Sequence, residues 1–528
     1  MTEKQKKSLE LVVYQIYPRS FKDSNGDGIG DLNGITEKLD YIKELGANAI
    51  WLSPCYKSPN EDNGYDISDY RDIMDEFGTL DDWKRMIDQM HKRGIKLIMD
   101  FVANHTSSEH RWFRESRKSK DNPYRDYYIW ADKPLTDWNS VFGGSAWEYD
   151  KTTNQYYLHS FANGQPDLNW ENPKVRQEMI DVIDFWVDLG VDGFRCDVLD
   201  CISKDFEKGL MGNGPRFHEF VNQLFGREKV SHIFTVGECD MHSKEDMTRL
   251  IGGDRGELTT SFQFDHIHYG RTHRFVKAPL IRDDIRNVLV KWQNILQDNE
   301  LVGTLFFENH DQPRAVSRFG DEEKRYESAT WLATMSYLQR GIPFIYQGQE
   351  IGSIDPYFEN IEDYDDIETV NYYKMNPHGV DHDEMIKRIN FGSRDNSRRP
   401  MSWDESENGG FGIGKTWIPV HNKYKEINVE NDLKSEKSVY KYFQKLIKLR
   451  TENEAFITGR YEDLTEDRKG IYIYKRFLEN ESYLVVCNFE NETELTLDFN
   501  GELVLTNYGK RDISGKYLPY ECAVYKLK

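Results

Sequence analysis

Short apolar runs alternate with amphipathic stretches along most of this chain. Eight runs read as buried strands: residues 11–17, 47–53, 96–102, 191–197, 233–238, 261–264, 303–307 and 342–347. Between them, residues 80–91, 175–189 and 281–297 carry apolar side chains at helical spacing. The sixth run is the weakest. Eight strand–helix units nevertheless predict an α/β protein, a (β/α)8 TIM barrel rather than an open sheet. The rhythm breaks twice. Residues 105–170 are rich in Trp and Tyr without helix–strand alternation, which predicts a small domain inserted after the third strand. Residues 355–429 read as an irregular, polar excursion after the eighth strand, close to the site. Residues 1–104 and 171–455 then form the barrel, closed by a helix over 438–450. Short alternating strands at 470–476, 482–488, 494–497, 502–506 and 522–527 predict a C-terminal antiparallel β-sandwich domain over 456–528.

Composition narrows the function. The 528 residues carry 69 Lys and Arg against 91 Asp and Glu, a net charge of −22. So acidic a surface excludes nucleic acid and anionic membrane as partners and leaves a neutral small oligosaccharide unaffected. Aromatic residues are 13% of the chain, enough to supply stacking platforms for sugar rings beyond core packing. No apolar run reaches the about 18 residues of a membrane span, and none near the N-terminus suits export. The six cysteines are scattered without a CxxC pair, so a cytoplasmic protein with reduced thiols is expected. The oligomeric state stays open, with a monomer sufficient.

Three segments end in carboxylates at predicted strand ends: Gly193-Phe194-Arg195-Cys196-Asp197, Thr235-Val236-Gly237-Glu238 and Glu308-Asn309-His310-Asp311. Parallel barrels build active sites at that end of their strands. Two carboxyls about 5–5.5 Å apart, one nucleophile and one acid, are what retaining cleavage of a glycosidic bond requires. Asp197 and Glu238 sit on adjacent strands and suit those parts. Arg195, two residues before Asp197, shares its strand face and is expected to keep it ionised. The apolar approach to Glu238 favours a retained proton. Asp311, with His310 and His105 at neighbouring strand ends, is placed to hold sugar hydroxyls. Separately, Asp23, Asn25, Asp27, the Ile29 carbonyl and Asp31 follow the first nine positions of an EF-hand loop, but Gly34 occupies position 12. This predicts a structural Ca²⁺ or Mg²⁺ ion and no sensor. No organic cofactor motif is present.

At these residues the chain resembles the α-amylase superfamily of glycoside hydrolases, and more narrowly its oligo-1,6-glucosidase/α-glucosidase branch. The resemblance runs from Tyr14-Gln15-Ile16-Tyr17-Pro18 through Gln165-Pro166-Asp167-Leu168-Asn169-Trp170 and Asn309-His310-Asp311-Gln312-Pro313-Arg314 to the C-terminal domain. It implies Asp197 as nucleophile, Glu238 as acid/base and Asp311 as transition-state stabiliser. It also implies Arg195, His105 and His310 around the terminal glucose, Tyr65 stacked on it, and Asp62 paired with Arg398 to grip its far hydroxyls. The implied activity is exo-acting, retaining release of glucose from isomalto-oligosaccharides. Val198, after the nucleophile, accompanies α-1,6 preference in that branch. Related activities share the pattern: α-1,4 maltase, sucrose hydrolase or isomerase, trehalose-6-phosphate hydrolase and, distantly, an inactive transporter-associated relative. Cys239-Asp240, Glu308 and Arg399 depart from the branch. A phosphate reader should gather Lys and Arg around the leaving-group site. Arg399 could serve, but the sequence shows no cluster.

Overall fold

Eight parallel strands surround a packed interior in a computed structural model that describes residues 1–239, 241, 243–253 and 257–528. They are Val13–Ile16, Ala49–Leu52, Lys96–Val102, Gly193–Asp197, Phe234–Gly237, Thr260–Ser261, Thr304–Leu305 and Ile342–Tyr346. Each strand pairs with its sequence neighbours, and the first pairs with the eighth. Between the sixth and seventh no backbone ladder forms among the described residues. That seam is spanned by hydroxyls instead: Thr260 Oγ1 donates to the Val302 carbonyl at 2.6 Å and Thr304 Oγ1 to the Ser261 carbonyl at 3.5 Å. The sixth strand, expected at 261–264, is shorter and earlier. Phe264 already caps the 3-10 turn Asp265–His268, and Phe262 is spent on the interior, 4.9 Å from the Phe344 ring.

The strands are apolar on both faces because both are covered. Inward, Ala49, Trp51, Ile98, Val236, Phe262, Phe306 and Phe344 fill the barrel. Outward, Ile50, Leu52, Leu97, Met99, Phe101 and Phe194 meet the helices. Helix Leu80–Lys92 shows how local sequence fixes the shell. Thr79 and Asp82 form a capping box at its start, and Trp83, Met86, Ile87 and Met90 make its buried stripe. Trp83 meets Trp186 of helix Pro173–Asp188 at 4.9 Å. Losing that indole would cost about 3–5 kcal/mol.

After the third strand, Trp130–Ala131, Gln155–Leu158 and Trp147–Asp150 form a three-stranded antiparallel sheet. The chain then returns to the barrel rim, where Asp167 bridges to His105. The stretch 355–429 is less irregular than its polarity suggests. It contains helices Ile367–Met375 and His382–Gly392 and the turn Asp395–Arg398. Their apolar side chains are few, and they gather with Phe275 into a small separate core of Tyr364, Tyr372, Met385, Ile386 and Ile389. The C-terminal residues form a five-stranded antiparallel sheet facing a two-stranded one. Ile473, Val486, Ala523 and Tyr525 pack against Leu495, Leu497, Ile513 and Tyr517 between them. No helix of the described residues is long and apolar enough to cross a membrane.

Candidate active site

One guanidinium organises the centre. Arg195 Nη1 donates to Asp100 Oδ1 at 2.9 Å and Asp197 Oδ1 at 2.6 Å, and Nη2 donates to Glu238 Oε2 at 2.6 Å. Third, fourth and fifth strands thus converge on a single cation, with Asp100 in register with Arg195. The three carboxyl side chains are 0%, 9% and 23% exposed, so Glu238 faces the cavity most and Asp100 least. Asp100 is further held by Trp51 Nε1 at 2.9 Å and the Tyr65 hydroxyl at 3.1 Å. Burial, with Glu238 and Asp100 close by, pushes the Asp197 carboxyl up from its ordinary value, although Arg195 pulls the other way. Arg195 favours the ionised form of Asp197, as expected of it, and does so against that burial. One positive charge is divided among three acids, and such a cluster retains a proton. Glu238 Oε2 also accepts from the Val198 N–H at 3.2 Å, while no described residue bonds Oε1. Val198 ends the strand in the left-handed region, φ 34° and ψ 46°, a costly place for a β-branched residue.

Asp311 lies in the opposite electrostatic setting. Arg398 Nη2 donates to its Oδ1 at 2.7 Å, Arg394 Nη1 reaches the same oxygen at 3.4 Å, and His310 Nε2 is 3.0 Å from Oδ2. Burial opposes ionisation, yet His310, Arg398 and Arg394 hold Asp311 well below the usual carboxylate range. Gln15 Nε2 donates to His310 Nδ1 at 2.8 Å, which leaves a ring proton on Nε2, 2.6 Å from the Tyr65 hydroxyl. Tyr65 stacks on that ring at 5.3 Å. Burial pushes His105 down to about 4, so it stays a neutral imidazole that accepts from one of the two amides beside it, Asn104 Nδ2 and Gln165 Nε2, each 3.2 Å away.

The expected Asp62–Arg398 pair is not what the structure contains. Asp62 Oδ1 accepts from Arg394 Nη2 at 3.0 Å, and Oδ2 accepts from Gln165 Nε2 at 3.1 Å. Arg394 lies one helical turn before Arg398, so it faces Asp62 while Arg398 reaches Asp311. Asp62, Tyr65, His105, Asp197, Glu238 and Asp311 line one cavity of about 470 Å³, together with Arg394. Arg195, His310 and Arg398 stand buried behind that wall. The inserted segment adds Phe142 and Phe161 to the rim, and the chain after the sixth strand adds Phe264, Arg271 and Arg274. Sequence reasoning gave no role to Asp100, Gln165, Arg394, Arg271 or Arg274. The first three stood inside or beside motifs already marked. Glu308 turns away from the cavity, with Arg314 Nη1 at 3.0 Å and the Ala315 N–H at 2.5 Å. Arg399 also points elsewhere, donating to the Asp363 carbonyl at 2.7 Å and lying 4.2 Å over Phe358. Asp240 falls outside the described residues.

In the loop after the first strand, Asp23 takes N–H groups of Asn25, Gly26 and Gly28 at 2.6–3.1 Å. Asp31 caps the following helix through the Gly34 N–H and accepts from Ser24, all at 2.7 Å. Asp23 and Asp31 are buried, and Asp23, Asp27 and Asp31 have no ion pair to a described residue. No three His, Cys, Asp or Glu side chains among the described residues already converge as a metal cage.

Comparison with known proteins agrees with this architecture. The α-amylase catalytic-domain model matches residues 15–459. An oligo-1,6-glucosidase of Parageobacillus thermoglucosidasius is 50% identical, over 98% of each chain. The solved trehalose-6-phosphate hydrolase of Bacillus licheniformis superposes with a TM-score of 0.91 at 41% identity, covering 98% of this chain and 99% of the other. The trehalulose synthase MutB of Pseudomonas mesoacidophila MX-45 superposes at 0.94 and 40% identity, covering 99% of each. The barrel, its carboxylate-lined cavity and these likenesses together make the chain a member of the α-amylase family of glycoside hydrolases.

Proposed function

We propose that the chain is a retaining, exo-acting α-glucosidase that releases glucose from the non-reducing end of isomalto-oligosaccharides. The observation that carries this is Arg195 bonding Asp197 and Glu238 with its two Nη atoms, each at 2.6 Å. Carboxyls bridged by one guanidinium favour the close separation of about 5–5.5 Å that retention uses over the about 6.5–9.5 Å of inverting pairs. Asp197 attacks the anomeric carbon while Glu238 gives the proton on its free oxygen to the departing glycosidic oxygen. Glu238 then takes a proton from water, which displaces Asp197 and leaves the α-anomer. Asp311, kept ionised, faces the ring. Asp62 and Arg394 close the far end with Tyr65, which limits that end of the cavity to one sugar. Val198 crowds the leaving-group side against α-1,4 linkages.

The reading also includes one divalent ion on residues 23–31. The donors are all oxygen, and the unpaired Asp23, Asp27 and Asp31 supply charge for a hard cation. When bound, such an ion would brace the loop and take no part in the chemistry. Six free cysteines support a reducing, cytoplasmic setting. The test is glucose release from isomaltose and maltose side by side, with the first anomer followed by NMR. Faster isomaltose cleavage giving α-glucose is expected. Initial β-glucose would overturn retention, and faster maltose cleavage would overturn the linkage assignment.

A further inference from the structure

The cavity wall after the sixth strand carries arginines that the cleavage of a neutral sugar does not require. Arg271 and Arg274 both line the cavity, and Arg318 lies behind them. Arg274 is neutralised, with Nε 3.0 Å from Glu368 and Nη1 donating to the Asp311 carbonyl at 2.7 Å. Arg271 is not. Its bonds go to Gln312 Oε1 at 3.3 Å and His268 Nδ1 at 3.1 Å; no carboxylate of a described residue makes an ion pair with it, and Glu368, which lines the same cavity, acts on it only from a longer distance. Burial and the neighbouring Arg318 and Arg274 push it down to about 9. A half-buried cation without a direct ion pair among the described residues is costly unless a ligand supplies the charge.

The position is also built rigidly. Arg271 opens the hairpin Arg271–His273 with Val276–Lys277. Phe275 pins that hairpin into the small core, 4.2 Å from the Tyr372 ring. Arg318 Nη2 holds the approach by donating to the Ile267 carbonyl at 3.2 Å and the Tyr269 carbonyl at 2.9 Å. His268, Gln312 and Phe264 line the cavity beside it. Asp62 and Arg394 close the other end, so this wall belongs to the leaving group.

We infer that Arg271, with His268 and Gln312, forms an anion-reading subsite for leaving groups that bear a phosphate or a carboxylate. This rests on the proposed glucosidase reaction and names a substrate class for it. A planar guanidinium takes either anion through two parallel bonds.

Two matched substrate pairs test it: isomaltobionate against isomaltose for a carboxylate, and trehalose 6-phosphate against trehalose for a phosphate. The expected result is kcat/KM at least about 10-fold higher for the anionic member of one pair, the pair identifying the anion. Arg271→Gln should reduce that ratio about 10-fold or more, and Arg271→Lys should restore part of it. Equal rates within both pairs, or an equal loss on both members in Arg271→Gln, would overturn the subsite. Calorimetric titration of glucose 6-phosphate, gluconate and glucose separates it from the reaction itself. Tighter binding of one anion, lost in Arg271→Gln, with no glucose released from any substrate would keep the subsite and refute the glucosidase reading. Equal affinity for all three ligands, with normal hydrolysis, would do the reverse.

Discussion

Val198 offers a test in which stability and specificity read different parts of one residue. Its φ of 34° and ψ of 46° lie in the left-handed region, where an L-residue with a Cβ pays about 1–2 kcal/mol. Replacement by Ala removes the isopropyl branch and keeps the Cβ. Replacement by Gly removes both, at an unfolded-chain entropy of about 0.5–1 kcal/mol. At an ordinary strand end Ala is the more stable of the two. Here Ala should lose that lead, with Gly level or ahead by up to roughly 1.5 kcal/mol on combining those two terms. Guanidinium unfolding of both variants measures the difference directly. The backbone N–H that holds Glu238 Oε2 at 3.2 Å is present in both, so the acid/base keeps its partner. Turnover then reports the side chain alone. The isomaltose-to-maltose ratio of kcat/KM should fall about 10-fold in Val198→Ala, or about 1.4 kcal/mol of lost discrimination. Ala more stable than Gly by about 0.5–1 kcal/mol, as at an ordinary strand end, would refute the strain argument. An unchanged ratio would refute Val198 as the filter, and each result stands without the other.

Asp197→Asn should lower kcat by more than about 10³-fold with an unchanged fold by circular dichroism; near-normal turnover would remove it as nucleophile. Glu238→Gln should impair isomaltose far more than an aryl glucoside whose leaving group needs no proton, and equal losses would argue against its acid role. Glu350, bonded by the Tyr14 and Tyr41 hydroxyls at 2.7 Å each, is pushed up to about 7 by burial. A carboxyl raised in the folded state lends stability at low pH and loses it as pH climbs to that value, so the wild type should lose about 3 kcal/mol from this group between pH 4.5 and 7. Glu350→Gln should lack that decline; parallel pH–stability curves would disprove the shift. Chelation should lower the melting temperature if the 23–31 loop holds its ion, and an unchanged midpoint with no metal by elemental analysis would withdraw the claim.

The barrel was readable because buried parallel strands are continuous apolar runs, and seven of the eight stood out as such. The sixth did not, since Thr260–Ser261 is polar and pairs over two residues only. The acids were readable because strand ends carry them in short motifs. Their partners were less so. Whether Asp62 meets Arg394 or Arg398 depends on the rotation of a four-residue turn, which no periodicity encodes. The helices between 355 and 429 escaped because their core is satellite-sized and borrows Phe275 from a distant hairpin. The same hairpin brings Arg271 and Arg274 to the cavity from a stretch that reads as surface, so the cationic wall has no linear signature.

The sharing of Arg195 among Asp100, Asp197 and Glu238 reaches beyond positioning. With one proton retained among the three acids, the cluster is still one positive charge short of neutrality. The glucosyl ring supplies that charge only as its C1–oxygen bond breaks and it becomes oxocarbenium-like. The field is therefore prepaid for a cation that exists at the barrier and in neither substrate nor product, which is the differential binding that accelerates a reaction. It also makes the centre a trap for small cationic sugar mimics. A protonated ring nitrogen would complete the charge balance at rest, so such compounds should hold this pocket far more tightly than glucose of the same shape.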